Sequence, residues 1–372
     1  MRLLPFEAFY PNKDLISSPE LFFGEVSNQY TDFKKAGFFK KVDQRGLYVY
    51  EISNPLNRHR GLIGSHDIAD FEEEKILGHE NTIAEREQQI MQLMMLRKAM
   101  IKPVLLTHEP IKEIHALLEN YIEYKTPFLS LYLEEEKEYH KVWSIDTDGD
   151  IQTIINLYRD KLDTLYIADG HHRSSTTIRL LKNHHLLGKT PESSAILSCY
   201  FSFDQLKIYD YNRVVDVFSN ISPATFIALL SNYATIKPIK TKRKPSKKFE
   251  ITMYIQKEWY VVKWKKKYIE AELKSNKIIL DTTLINHWVM EKILNIGDVR
   301  TTKLVQYFEG KSGLDSLIKE VNKNKNLVGI CIYPVDIQEV VAFSNAGISL
   351  PPKSTWFEPR IKNGLLVKEI DE

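Results

Sequence analysis

The sequence predicts a mixed α/β chain in two parts. In the first half, strand-like residues 139–145, helix-patterned residues 151–162, strand-like residues 164–168 and a helix opening near Ser174 alternate, the order of an α/β layer. In the second half, strand patterns at 249–255, 259–264 and 268–272 follow one another closely, which predicts a β-meander in an α+β region. Between the halves, residues 236–249 crowd Lys237, Lys240, Lys242, Arg243, Lys244, Lys247 and Lys248 around Pro238 and Pro245. We place the boundary so that residues 1–215 form the N-terminal α/β region and residues 216–372 the C-terminal one.

Each element has a local warrant. Residues 1–70 read as an irregular start followed by strands at 46–52 and 61–64. Residues 80–100 lack Gly and Pro and place Ile83, Ile90, Leu93 and Met94 at near-helical spacing, so the methionines there are expected in the core. Residues 102–107 read as a buried strand and 111–121 as a helix. Strands are expected at 195–203 and 206–215, helices at 280–294 and 314–321, and a strand at 327–333. Cys199 and Cys331 lie in apolar, strand-like settings and are expected as core residues, not as a disulfide or a metal pair.

Composition narrows the function classes. The 51 Lys+Arg against 49 Asp+Glu leave a net charge of +2, so no global field draws nucleic acid or lipid. No apolar run approaches the ~20 residues of a membrane-spanning helix. The first residues lack a signal-peptide pattern. The expectation is a soluble, cytoplasmic protein whose partner is a small molecule, not nucleic acid or membrane.

Chemistry concentrates at Asp169, Gly170, His171, His172 and Arg173, where an apolar strand enters a glycine turn that opens a helix. The free N–H groups and positive dipole end of a helix favour an anion, and Arg173 adds a charged fork suited to phosphate or carboxylate. Asp169 is placed to hold a metal or to orient an imidazole. The plain alternative is Asp169 as a helix cap with two structurally paired histidines. His79 and Glu80 form a second pair, a carboxylate beside an imidazole near a helix start, which can act as a general base or merely support the helix dipole. A third segment runs from Leu350 to Arg360. In it Lys353, Ser354 and Thr355 offer an ammonium and two hydroxyls after paired prolines, while Trp356 and Phe357 are expected to pack. The basic run at 236–249 suits a solvated hairpin margin better than RNA. His287 and Trp288 read as a structural pair, and Lys207 and Arg213 as further phosphate contacts.

The order of motifs resembles the ParB/sulfiredoxin-like fold. Within it the chain is similar to free-serine kinases, in which a His-Glu pair precedes a helix, an apolar strand follows, and a later strand ends in Asp-Gly-His-His-Arg. The resemblance implies phosphorylation of L-serine with ATP or ADP and Mg²⁺. It makes Glu80 the base for the serine hydroxyl and His171, His172 and Arg173 the nucleotide-phosphate contacts with Asp169 beside them; His79 and Asp169 are grouped with Glu80 as catalytic, and Gly170 with the phosphate contacts. Residues 109–160 are inserted relative to the compact pattern. Over its whole length the chain is similar to the family called domain of unknown function 1015. The segments that carry this are Tyr48-Val49-Tyr50, 61–70, His79-Glu80-Asn81-Thr82, 167–173, 204–208 with Arg213-Val214-Val215, and 351–357. Ser174 departs from that family, which usually has an aromatic there.

The expected fold is therefore a ParB/sulfiredoxin-like α/β core with insertions plus the C-terminal α+β region. The expected activity is phosphoryl transfer to a small hydroxyl metabolite such as L-serine, with Lys353 and Ser354 as added phosphate contacts. Two alternatives stay open: a nucleotide-binding switch without transfer, and metal-dependent hydrolysis through His79, Glu80, Asp169, His171 and His172. A homodimer is compatible with either.

Overall fold

The computed structural model describes residues 1–185 and 194–370. The chain is mixed α/β and divides into two units: residues 1–207 with 359–372, and residues 208–358.

The first unit is built on a nine-stranded mixed sheet. Its order is Ile76–Leu77, Leu165–Asp169, Val104–His108, Ala195–Ser202, Arg58–Asp67, Leu47–Ser53, Glu138–Ile145 and Leu129–Leu133, with Leu3–Leu4 pairing off this path with Arg58–Asp67. Leu165–Asp169 runs parallel to Ile76–Leu77, and Ala195–Ser202 parallel to Val104–His108. The remaining pairs are antiparallel. Every residue of Val104–His108 and of Ala195–Ser202 is buried, as expected of strands covered on both faces. Helices Ala84–Arg97 and His171–His185 pack on one another, and the latter lies on both of these strands. Several polar side chains in this core are paired: His66 bridges Tyr200 and Asp70, Tyr158 bonds His108, and Tyr50 bonds His140.

The second unit holds a six-stranded antiparallel sheet in the order Ala234–Ile239, Glu258–Trp264, Glu250–Ile255, Leu327–Cys331, Tyr211–Asp216 and Val305–Glu309. One face packs Val215, Met253, Val262 and Ile330 against Phe226, Leu284 and Val289. The other packs Val214, Tyr254 and Cys331 against Leu317 and Val321. The hairpin between Glu250–Ile255 and Glu258–Trp264 turns through Gln256 and Lys257, both at positive φ, the backbone that matches strand twist in a two-residue loop.

Most expected elements are present with ends shifted by a few residues, and both cysteines are buried and free. Four points differ. Pro19–Lys35 is a 17-residue helix capped by Ser18, where only an irregular start was expected. Lys266–Ser275 is a helix, not the third strand of a meander. The third strand of that group is Ala234–Ile239, which opens the lysine-rich stretch. The unit boundary falls after Lys207, not 215, because Tyr211–Asp216 pairs with Val305–Glu309 and Leu327–Cys331; residues 359–372 return to the first unit. Among the described residues no helix is long and apolar enough to cross a membrane.

Candidate functional site: a cationic node beside a histidine-clamped loop

The Asp169 turn is shaped by strand register and by a glycine. Pairing between Leu165–Asp169 and Val104–His108 shifts between Ile167 and Asp169, a strand-end irregularity of the kind that re-aims a side chain. Gly170 follows at φ +107°, and a Cβ there would lie 2.7 Å from Arg173 Nη2. Glycine thus supplies the backbone angle and the room for the guanidinium to fold back. Arg173 Nη2 donates to Asp169 Oδ2 at 2.9 Å and to the Pro103 carbonyl at 3.3 Å. Ser174 is buried and donates its hydroxyl to the His171 carbonyl.

Asp169 is not primarily a helix cap. Its oxygens accept from Arg173 and from Arg360 Nη1 (3.3 Å), and Lys102 Nζ stands 3.8 Å away. Burial alone would raise its carboxyl. The charges of Arg173, Lys102 and Arg360 outweigh that and hold it far below the usual carboxylate range. Burial and the neighbouring arginines pull the Lys102 ammonium down to about 8. Lys362 lies close enough to add to that effect and pairs with Glu136. Three cations on one carboxylate leave an excess of positive charge, which suits a phosphate or a second carboxylate.

The two histidines hold the other motif in place. His79 N–H donates to His171 Nε2 at 3.1 Å, and Ile83 N–H donates to His172 Nδ1 at 3.2 Å. The loop carrying Glu80 is therefore clamped at both ends to the start of the His171–His185 helix. Gly78 permits this approach, since a Cβ there would meet His171 Cδ2 at 2.9 Å. The helix after the loop begins at Ala84, so Glu80 is a loop residue and not a first-turn residue. Burial pushes His79 down to about 4 and holds His171 well below its ordinary value; the neighbouring His79 adds to the effect at His171. His172 is lowered chiefly by burial. All three stay neutral at pH 7. Because His171 Nε2 accepts, its proton sits on Nδ1, which faces Glu80 Oε2 at 3.5 Å. Glu80 itself is half exposed, at 48%.

His79, Glu80 and His171 each bring a potential ligand atom within 4.8 Å of the others. The tautomer counts against a metal there: Nδ1 of His171 holds a hydrogen where a metal would need a lone pair. The cluster fits a hydrogen-bond relay better. Nor does the Asp169 node fit a magnesium ion, since the carboxylate oxygens are spent on cations.

The structure brings together Gly170, His171, His172 and Arg173 with His79, Glu80 and Asp169, all in the first unit. Lys353 and Ser354 belong to the second unit. Lys353 Nζ lies 5.0 Å from the Tyr211 ring centroid, and buried Ser354 donates to the Pro351 carbonyl. The buried Arg213 also lies there, donating to the Tyr211 carbonyl with its guanidinium over the Tyr307 ring. Lys207 is exposed. His287 stacks on Trp288 and pairs with Glu272, a structural arrangement. Lys242, Arg243, Lys244 and Lys248 pair with Asp315, Glu250, Asp210 and Glu339 of their own unit, a structural account of the basic run. Sequence reading missed Lys102, and it reached Arg360 only as the last residue of the Leu350 segment. No motif marks either one; only the fold brings them to Asp169.

A family model described as a protein of unknown function, DUF1015, matches residues 9–284. The chain belongs to this DUF1015 family. No curated protein matches it. Among solved structures, a free serine kinase in complex with AMP aligns at 13% identity and a TM-score of 0.38, over 78% of this chain and 89% of its own. SbnI with a C-terminal truncation, from Staphylococcus aureus, aligns at 12% identity and a TM-score of 0.41, over 83% and 89%. A conserved hypothetical protein from Pyrococcus furiosus aligns at 14% and 0.37, over 80% and 94%. None of these values carries an activity to this DUF1015 chain.

Proposed function

We propose that this chain is a phosphotransferase that moves a phosphoryl group from ATP or ADP to the hydroxyl of a small metabolite, with L-serine the first candidate. The observation that carries the reading is a half-exposed carboxylate, Glu80, clamped beside a node with surplus positive charge. Phosphoryl transfer asks little covalent chemistry of a protein. It needs charge neutralisation and an acceptor held in line.

In this reading Arg173, Arg360 and Lys102 take the nucleotide phosphates in exchange for part of their hold on Asp169. Glu80 accepts the proton of the acceptor hydroxyl, whose oxygen attacks the terminal phosphorus while the bond to the leaving nucleotide breaks. The Nδ1–H of His171 orients the Glu80 carboxylate, and His79 and His172 fix the loop. A magnesium ion would arrive on the nucleotide's own phosphates. Lys353 and Ser354 are not assigned a role in this reading; the contacts seen for them are to residues of their own unit.

The test is direct. Protein is incubated with L-serine, Mg²⁺ and either ATP or ADP, and O-phosphoserine is read by mass spectrometry. Glu80→Gln is expected to abolish product while nucleotide binding persists. Near-wild-type turnover by Glu80→Gln would sink the base assignment. Nucleotide binding with no product from either donor, over a panel of hydroxyl acceptors, would instead point to a switch protein.

A further inference from the structure

A cavity of about 220 Å³ opens in the first unit beside the Ala84–Arg97 helix. It exceeds the ~150 Å³ apolar cavity that takes up benzene. Its walls include Ile90, Met94, Met100, Ile101, Val104 and Leu197, with no aromatic ring among the lining residues. Arg97, Lys102 and Arg173 also line it, and of its sixteen lining residues none is acidic. Arg97 lies at the end of its helix, and its Nε is buried without a hydrogen-bond acceptor among the described residues. Burial also lowers the Arg97 guanidinium from its ordinary value.

These features ask for one kind of ligand. Aliphatic walls reward a flexible apolar body through burial, and unpaired guanidinium N–H groups reward oxygens that carry negative charge. A neutral apolar molecule would leave the Arg97 guanidinium desolvated with its Nε still lacking an acceptor. A nucleobase would find no ring to stack on. L-serine is too polar for the walls.

We propose that this cavity binds a small apolar monoanion, an aliphatic carboxylate, with its head against Arg97 and Lys102 and its body along Ile90, Met94 and Leu197. The site goes beyond the phosphotransfer reading; it shares Lys102 with the Asp169 node, but its test reads alkanoate binding alone and stands whether or not phosphoryl transfer is found.

The test is isothermal titration of the full chain with sodium octanoate, sodium acetate and 1-octanol, followed by competition of octanoate with adenosine. Octanoate is expected to bind saturably, and affinity along the n-alkanoate series to rise about fourfold per methylene until the cavity fills. Acetate and 1-octanol are each expected to bind at least ~10-fold more weakly than octanoate. Leu93→Trp, on the partly exposed rim, and Arg97→Met are each expected to weaken octanoate ~10-fold with circular dichroism unchanged. Equal binding of octanoate and octanol would remove the cations from the site and overturn the proposal. Displacement of octanoate by adenosine would make the cavity a nucleoside pocket. Failure of octanoate to bind the folded wild-type chain would dispose of the site.

Discussion

Arg173 and Arg213 look alike in sequence, each an arginine beside a strand in a chemically rich stretch, yet the two units use them differently. Arg173 shares Asp169 with Arg360 and Lys102 and keeps 23% of its side-chain surface open. Arg213 is fully buried, bonded to one carbonyl and stacked over Tyr307, with Nε and Nη2 lacking a hydrogen-bond acceptor among the described residues. Burial pulls its guanidinium down to about 10. A cation can bind a ligand only where the ligand can reach it and where displacing its present partner costs little. Arg173 meets both conditions and Arg213 meets neither.

The contrast is most directly broken by substitution. On the proposed function, Arg173→Met should cut phosphoryl transfer by roughly 10³-fold, the scale of losing a charge-stabilising donor, whereas Arg213→Met should leave turnover within about twofold. Comparable losses in both would show that the second unit serves the chemistry too.

Acid should sharpen the difference in stability. In the first unit, His79 and His108 are pushed down to about 4 and His140 to about 3, each chiefly by burial. Their unfolded value is near 6.5, so each contributes stability that is complete above that pH and is lost as pH falls toward the folded values. The scale is on the order of 3 kcal/mol per histidine. In the second unit, burial raises Asp281 to about 7. Its contribution runs the other way: present in full below about 3.8 and lost as pH rises through 7. Lowering pH from 7 to 4.5 should therefore lower hydrogen-exchange protection factors, corrected for the intrinsic rate at each pH, in peptides of the first unit and raise them around Asp281. A uniform fall in protection across both units would contradict these assignments.

A smaller effect compares the glycines at the two charged centres. Gly170→Ala must adopt φ +107° and push Arg173 away, so a loss of roughly 2 kcal/mol is expected in urea denaturation. Gly310→Ala would place a Cβ 2.2 Å from the Asp210 carboxylate and 2.8 Å from the Asp210 carbonyl. It should cost at least as much, since that backbone cannot step aside. A neutral Gly170→Ala would mean the turn relaxes easily and that Arg173 is held less firmly than its bonds suggest.

The sequence was most readable where chemistry and periodicity coincide. The strand, turn and helix around Asp169 could be read because apolar residues stop abruptly at a glycine, and the buried cysteines because their flanks are apolar. Pro19–Lys35 escaped notice, although Ser18 and Pro19 are a clear helix start, because its aromatic-rich face lacks a regular aliphatic repeat. Residues 268–272 alternate like a strand, yet they fold as a helix that places Glu272 against His287. Of the methionines expected in the core, Met94 is buried but Met95 is 60% exposed. Within the candidate site, the clamp on the Glu80 loop was invisible because its acceptors are imidazole nitrogens and its donors backbone N–H groups 92 and 89 positions away.

The return of residues 359–372 to the first unit has a bearing on how the chain is made. Phe9 exchanges backbone hydrogen bonds with Val367, Gly364 N–H reaches the Ile101 carbonyl, and Lys368 pairs with Met100. Arg360 leaves the ribosome only after the whole of the second unit has been synthesised. The complete cationic node therefore cannot assemble on a nascent first unit, and Asp169 must wait with fewer partners while residues 208–358 are synthesised. Translation itself withholds the finished site until the intervening unit has been made.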